Sequence, residues 1–370
     1  MTAVLKVDPL KITFDGIHAR IAPSKTLDNL RIAVDALKKD QVVAFPTETV
    51  YGLGASCQST PGVQGIYAAK NRPADNPLII HVSSREQLET TLLQSVPSPK
   101  IPPIYVPLIE KFWPGPLTIL LPLPENTTIS PVCTLGQSTF GVRVPANPIA
   151  RALIEMSNLP LAAPSANAST KPSCTTAQHV FNDMRDRIPF IIDGGPADIG
   201  VESTVVDGLV SPPQILRPGG VTLEQIREIG GSAWKNVVIA KPNAKENEKV
   251  RTPGMKYRHY SPQAYVTVFQ PGAEHKLVDF VRNRKATKVA YLRSKTFPKS
   301  AFAGLENVQV YDMPLGTTNK DISHNLFNYF READSLGVDL IIVEGIDVTE
   351  EGLAIMNRIH KAAGEIVEAI

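Results

Sequence analysis

Cysteine is scarce: the chain has three, Cys57, Cys133 and Cys174, far apart and odd in number. No two have the spacing of a metal site or a redox pair. That speaks against a disulfide framework and for reduced thiols in a cytoplasmic protein. No run of about 18 apolar residues occurs, so no membrane span is expected. The first twenty residues lack a long apolar core and include Asp8 and Asp15, unlike a secretory signal or a mitochondrial transit peptide. Neither sign of charge is in excess: 38 Lys and Arg against 36 Asp and Glu leave a net charge of +2. This is too mild for a dedicated nucleic-acid binder, although a local basic patch leaves weak RNA or DNA binding open. The familiar signatures GxxxxGK[ST], GxGxxG after a strand, HExxH and GxSxG are missing. A phosphate site must therefore be assembled from side chains and loop amides. None of the seven histidines stands at metal-ligand spacing with another, and no metal site of the protein's own is expected.

What is present is an alternation of short apolar runs and helical periods. Leu27, Leu30, Val34 and Leu37 recur at helical spacing, and Ser24 or Thr26 can cap them. Further helices are predicted over 61–70, 84–93, 149–156, 176–184 and 223–229. Short strands are predicted over 41–45, 78–82, 118–121, 141–144, 161–163, 190–192, 204–206 and 214–216. Such a mixture argues for an α/β domain with a large twisted sheet. Residues 241–251 are polar, charged and without hydrophobic period, as in a linker. Beyond them a smaller α/β unit follows, with strands over 264–269, 288–292, 308–311 and 338–343 and helices over 277–284, 324–334 and 352–363. Its pattern is that of a Rossmann-type sheet. Thirty-two prolines, above the norm of about 5 %, predict many stiff, extended loops.

The polar residues gather at strand ends and in loops, where function concentrates. Residues 45–54 read FPTETVYGLG: a strand exit, then two hydroxyls including Thr49, then a glycine-rich turn at Gly52 and Gly54. Lys70 and Arg72 close a helix, and Asn76 follows. An arginine there can grip phosphate or carboxylate in two-pronged fashion while a lysine supplies a point charge, but both also suit a helix C-terminus. His81 ends a strand, where a satisfied structural histidine is the plainer reading. Arg143 interrupts the apolar strand GVRVP and needs an acceptor or solvent. The reading as a carboxylate clamp stands against that of an outward-facing sheet arginine. Ser165, Asn167 and Ser173 follow the next strand, and Ser203 and Arg217 border two more. Their hydroxyls and amides can bind phosphate oxygens or simply build turns.

Taken in order, PTETVYGLG, KNRPADNPL with its following HV, PGPLT, GVRVP, PSAN, ESTVVD, LRPGG and the later PGMKYRHYSP closely resemble the YrdC-like threonylcarbamoyl-AMP synthase family. The resemblance is to its long form with a C-terminal domain. It is firm over about residues 23–262 and general in pattern beyond. It implies a YrdC-like twisted mixed sheet with helices and a central cavity over 23–235. A linker over 236–262 would reach the active site, and a Rossmann-like α/β domain would fill 263–370. It also implies a nucleotidyltransferase that converts L-threonine, bicarbonate and ATP, the last with Mg2+, to threonylcarbamoyl-AMP and pyrophosphate. No organic cofactor is implied. A partner transferase would then modify adenosine 37 of tRNAs reading codons that begin with A.

Carried over residue by residue, the resemblance assigns Thr49, His81, Arg143, the backbone at Ala163, and Ser203 to threonine. It assigns Lys70, Arg72, Asn76, Thr139, Ser165, Asn167, Ser173, Arg217 and, from the linker, Tyr260 to ATP. No general base stands out, and His81 is the nearest candidate. One departure is visible. Where the family has Ser-Gly after PSAN, this chain has Ser169-Thr170, so a different loop conformation is expected there. Carbamoyl-adenylate chemistry of the kind used in hydrogenase maturation is a competing reading, but nothing here resembles the acylphosphatase-like and zinc-finger segments of those proteins. A non-catalytic RNA- or DNA-binding module is another.

Overall fold

Helices start where a side chain takes up the first unpaired amides. Ser24 accepts from Leu27 N–H and opens Lys25–Leu37. Ser59, Asn147 and Thr176 do the same for Thr60–Lys70, Pro148–Ser157 and Ala177–Met184. Thr222 and Gln225 form a reciprocal capping box ahead of Leu223–Ile229. Asn71 and Asn158 end their helices in the left-handed conformation. The computed structural model describes residues 1–74, 76–94, 101–241 and 259–369. The chain divides into two compact units. The first spans Met1–Ser169, Ser173–Asp198 and Glu202–Lys256; the second is Thr170–Pro172, Ile199–Val201 and Tyr257–Ile370. No helix among the described residues is long and apolar enough to cross a membrane.

The strands of the first unit are β1 (Ala3–Lys6), β2 (Ile12–Asp15), β3 (His18–Ile21), β4 (Val43–Phe45), β5 (Gly52–Ser56), β6 (Ile80–His81), β7 (Leu117–Pro122), β8 (Thr139–Arg143), β9 (Leu161–Ala162), β10 (Phe190–Asp193), β11 (Thr204–Asp207), β12 (Gln214–Arg217) and β13 (Val238–Ile239). All but the β2–β3 hairpin join one mixed sheet in the order β1-β10-β4-β5-β9-β6-β8-β7-β11-β12-β13. Strand β4 shows how the sheet separates two cores. Val43 and Phe45 pack with Leu30, Leu37 and Leu153, while Ala44 packs with Tyr51, Leu53 and Ile66. Alternate residues on opposite faces follow from the two-residue period of a strand. The second unit holds β14 (Tyr265–Phe269), β15 (Lys288–Arg293), β16 (Gln309–Pro314), β17 (Leu340–Glu344) and β18 (Glu365–Val367). They pair in parallel in the order β16-β15-β17-β14-β18. That is the α/β arrangement expected, and every strand predicted there is present.

Three expectations change. The large sheet runs past both predicted boundaries, because β1 pairs with β10 and β13 with β12. Residues 1–22 and 236–241 thus belong with the first unit, and 242–258 of the expected linker lie outside the described residues. Second, Gly52 and Gly54 are not a turn but part of β5, paired with β4 and β9. The glycine is needed for packing: a Cβ on Gly54 would stand 2.5 Å from Cε1 of the Phe45 ring.

Third, Thr170 takes up a backbone conformation that glycine adopts readily. It adopts φ +73°, the left-handed region that a β-branched side chain resists. Within the second unit its carbonyl accepts from Ser261 N–H at 2.8 Å, which helps hold it there. Thr170→Gly is expected to raise stability by about 1 kcal/mol, the left-handed penalty less the extra freedom of unfolded glycine. A shift of the urea midpoint upward at constant slope is the readout, and a downward shift would contradict the strain.

Candidate active site

Arg143 ends β8 and is 3 % exposed, so its charge must be met inside the protein. Each of its N–H groups finds an acceptor. Nε donates to His81 Nε2 at 3.0 Å. Nη1 donates to Glu48 Oε1 and, at 3.4 Å, to the Gly115 carbonyl. Nη2 donates to Thr47 Oγ1 at 3.2 Å and Thr49 Oγ1 at 3.0 Å. Glu48 is itself buried, and its second oxygen accepts from Ala146 N–H at 3.0 Å. The sequence reading passed over Glu48. Its only trace there was the need of a strand-borne arginine for an acceptor.

This network fixes hydrogen positions on its neighbours. Thr47 Oγ1 donates to the Val50 carbonyl at 2.6 Å, so Thr49 must be the donor in the 2.8 Å hydroxyl pair they form. Thr49 then offers a ligand an acceptor, not a donor. His81 Nε2 receives the Arg143 proton, which places the ring's own proton on Nδ1. Burial first, and the Arg143 charge second, hold its pKa well below 6.5. His81 is therefore neutral, and its basic lone pair is committed to Arg143. That removes the strongest ground for treating it as a general base. A histidine protonated only when unfolded penalises the fold in acid: below about pH 6.5 the unfolded chain binds the extra proton. Its contribution should erode stability by up to about 1.4 kcal/mol per pH unit as pH falls. His81→Gln, followed by urea denaturation across pH 7 to 5, should flatten that slope; an unchanged slope would exclude His81 as its source.

The second cluster is built from β11 and β12. Ser203 precedes β11, and its hydroxyl lies 2.8 Å from Thr118 Oγ1 of β7. Arg217, the last residue of β12, is 5 % exposed. It donates from Nε to the Ser203 carbonyl and from Nη2 to Ser203 Oγ, both at 3.1 Å. The turn after it is tight because Gly219 sits on the Glu202–Ser203 backbone, where a Cβ would come within 2.3 Å of the Glu202 carbonyl oxygen. The Arg217 charge contributes to the lowering at His81, so the two clusters sense each other.

The remaining candidates lie elsewhere in the two units. Lys70 is buried, and its Nζ donates to the Ser165 carbonyl and, at 2.6 Å, to that of Asn167. It thus pins the 165–167 loop. Arg72 lies with its guanidinium 6.0 Å from the Tyr67 ring centre, and Tyr67 donates to the Asn76 carbonyl at 2.9 Å. Ser173 is fully buried and donates to Glu202 Oε1 at 2.5 Å. Ala163 donates its N–H to the Ile79 carbonyl at 3.0 Å. Thr139 starts β8, at the opposite end of that strand from Arg143. Tyr260 belongs to the second unit, where its ring packs 5.3 Å from Phe327 and beneath Arg358 at 5.7 Å. Among the described residues no three of His, Cys, Asp or Glu converge as a metal site. The three cysteines are buried thiols, and burial pushes that of Cys133 up to about 12.

Residues 35–219 match the Sua5/YciO/YrdC family, described as telomere recombination. Residues 221–364 match the threonylcarbamoyl-AMP synthase C-terminal domain. A Schizosaccharomyces pombe protein named threonylcarbamoyl-AMP synthase is 47 % identical, over 96 % of this chain and 93 % of that one. A Pyrococcus abyssi protein of the same name is 44 % identical, over 90 % and 94 %. The crystal structure of P. abyssi Sua5 complexed with L-threonine superimposes with a TM-score of 0.83 at 40 % identity, covering 99 % of each chain. With both domains matched in order and relatives aligned over nearly their whole lengths, the chain belongs to the threonylcarbamoyl-AMP synthase family, in the form that carries a Sua5-type C-terminal domain.

Proposed function

We propose that the protein makes L-threonylcarbamoyladenylate and pyrophosphate from L-threonine, bicarbonate and ATP, the nucleotide entering with its magnesium ion. The neutral threonine amine attacks bicarbonate or its carbon dioxide, water is released, and a carbamate forms. A carbamate oxygen then attacks the α-phosphorus, and pyrophosphate leaves. Such a transfer asks mainly for positioning and charge neutralisation. The observation that carries the reading is the pair of buried arginines, Arg143 and Arg217, each holding hydroxyls assigned to threonine, Thr49 and Ser203. In this reading Arg143 Nη2 trades its threonine hydroxyl acceptors for the substrate carboxylate. Thr49 and the Ala163 carbonyl accept from the amine, and Ser203 selects the small polar side chain. Lys70, Ser165 and Asn167 shape the loop against which ATP lies. Arg72, Asn76, Thr139, Ser173 and Arg217 complete the nucleotide side. The product passes to a transferase that modifies adenosine 37 of tRNAs reading codons that begin with A, in the cytoplasm.

The direct test is incubation of the pure protein with ATP, bicarbonate and each amino acid in turn. Pyrophosphate should appear only with threonine. Arg72→Ala should lower kcat/KM for ATP by about 100-fold or more, the usual loss when a donor aimed at developing charge is removed. Turnover independent of threonine would reject the reaction, and an Arg72→Ala enzyme of full activity would reject the phosphate role.

A further inference from the structure

A cavity lies in the first unit, lined by residues other than those assigned to threonine or ATP. It measures about 220 Å3 and is lined by Ile17, Ser83, Ser84, Arg85, Ile109, Glu110, Trp113, Pro114, Val144 and Arg151. The informative residue is Arg151, on the helix Pro148–Ser157. Its guanidinium stacks on Phe14 of the β2–β3 hairpin, 4.0 Å from the ring centre. It is half-buried, and that burial lowers its pKa. Its Nε is inaccessible to solvent and makes no hydrogen bond. Among the described residues no carboxylate lies within ion-pair distance of it, whereas the neighbouring Arg85 is paired with Glu89 at 2.7 Å. Desolvating a guanidinium without a counter-charge is unfavourable, and the usual resolution is an anion.

We infer that this cavity binds a small monocarboxylate with an apolar body, its carboxylate on Arg151. Ser83 and Ser84 flank the polar end, although their hydroxyls already serve Gln87. The apolar walls are Ile17, Ile109, Trp113, Pro114 and Val144. The volume is below the roughly 300–1,000 Å3 of a drug-sized pocket, so the ligand is small. Glu110, exposed on the lining, sets the charge of that ligand: it repels a phosphate dianion more than a single carboxylate.

The walls of the cavity adjoin the Arg143 centre along the chain. Val144 follows Arg143, and its carbonyl accepts from Gly115 N–H at 2.8 Å. Ser83 follows Val82, whose N–H donates to the Arg143 carbonyl at 3.0 Å. Phe14 and Ile17 come from a hairpin that precedes the residues matched by the catalytic family, 35–219. The site is therefore next to the proposed threonine centre but made of other residues.

The test uses the full-length protein with saturating L-threonine, titrated by calorimetry with benzoate, its neutral isostere benzamide, and inorganic phosphate. Benzoate should bind in the millimolar range or tighter, about −4 kcal/mol at 1 mM. Benzamide and phosphate should each bind at least tenfold more weakly. Arg151→Gln should weaken benzoate at least tenfold while threonine-dependent pyrophosphate release stays at its wild-type rate. Arg151→Lys should keep the preference for benzoate over benzamide. Absence of benzoate binding, equal binding of benzamide, or equal binding to Arg151→Gln would overturn the site. Phosphate binding as tight as benzoate would overturn the monocarboxylate assignment, and displacement of benzoate by threonine would place it in the other centre.

Discussion

Replacing Glu48 with alanine is expected to destabilise the first unit by about 3–5 kcal/mol, the usual loss when one member of a buried ion pair is removed. The side chains of Glu48 and Arg143 are 6 % and 4 % exposed. Removing the carboxylate therefore leaves a guanidinium that water cannot reach. It also frees the Ala146 N–H that Glu48 now satisfies. The argument is about the orphan and not about the bond, because a buried pair as a whole adds little to stability. Glu48→Ala with Arg143→Ala should consequently cost well under the sum of the two single changes, a coupling that a double-mutant cycle reads directly. Urea denaturation at constant slope is the measurement. A loss under about 1 kcal/mol for Glu48→Ala would mean that Arg143 finds another acceptor, and Glu48 would then not be what holds it.

Glu48→Gln separates the structural from the functional part. It keeps one acceptor for Arg143 and removes the charge. If Glu48 works only by holding Arg143 toward Thr49 and His81, the milder variant should raise KM for threonine more than KM for ATP while kcat changes little.

Local signals in the sequence located most elements, and tertiary demands decided the rest. The helices Leu223–Ile229 and Leu277–Arg284 end where their periodicity ends, because caps and apolar stripes are local properties. Strand β5 was invisible for a tertiary reason: its glycines read as a turn, yet they make room for the Phe45 ring of the neighbouring strand. The β2–β3 hairpin did leave a trace. Gly16, at φ +59°, opens the two-residue turn Gly16–Ile17 between the alternating pairs Ile12, Phe14 and Ala19, Ile21. At the site, the hydroxyls and arginines could be named because they stand at strand ends. Their partners could not. Nothing in the spacing of Glu48 and Arg143, 95 residues apart, announces an ion pair. Lys70 likewise looked like a phosphate cation, whereas two of its contacts are carbonyls of the 165–167 loop.

Arg217→Ala should be the most damaging single change to the proposed reaction, with kcat/KM falling about 10²–10³-fold for both substrates. The residue is assigned to ATP, yet the two bonds described for it go to Ser203, on the threonine side. Ser203 in turn shares a hydroxyl pair with Thr118. Removing the guanidinium therefore withdraws positive charge from the phosphates and lets the Ser203 hydroxyl rotate toward Thr118 alone. Arg72→Ala offers the contrast, because Arg72 sets its guanidinium against the Tyr67 ring and donates its N–H to the Tyr67 carbonyl, beside Asn76 on the side assigned to ATP. The expected pattern is a raised KM for both threonine and ATP in Arg217→Ala, and for ATP alone in Arg72→Ala. Adding Ser203→Ala to Arg217→Ala should cost less than it does in the wild-type background, since the two act through one contact. Steady-state pyrophosphate release, with each substrate varied at saturating levels of the others, reads all three. An unchanged threonine KM in Arg217→Ala would show that the Ser203 bonds only brace the β11–β12 corner, and would return Arg217 to a purely nucleotide role.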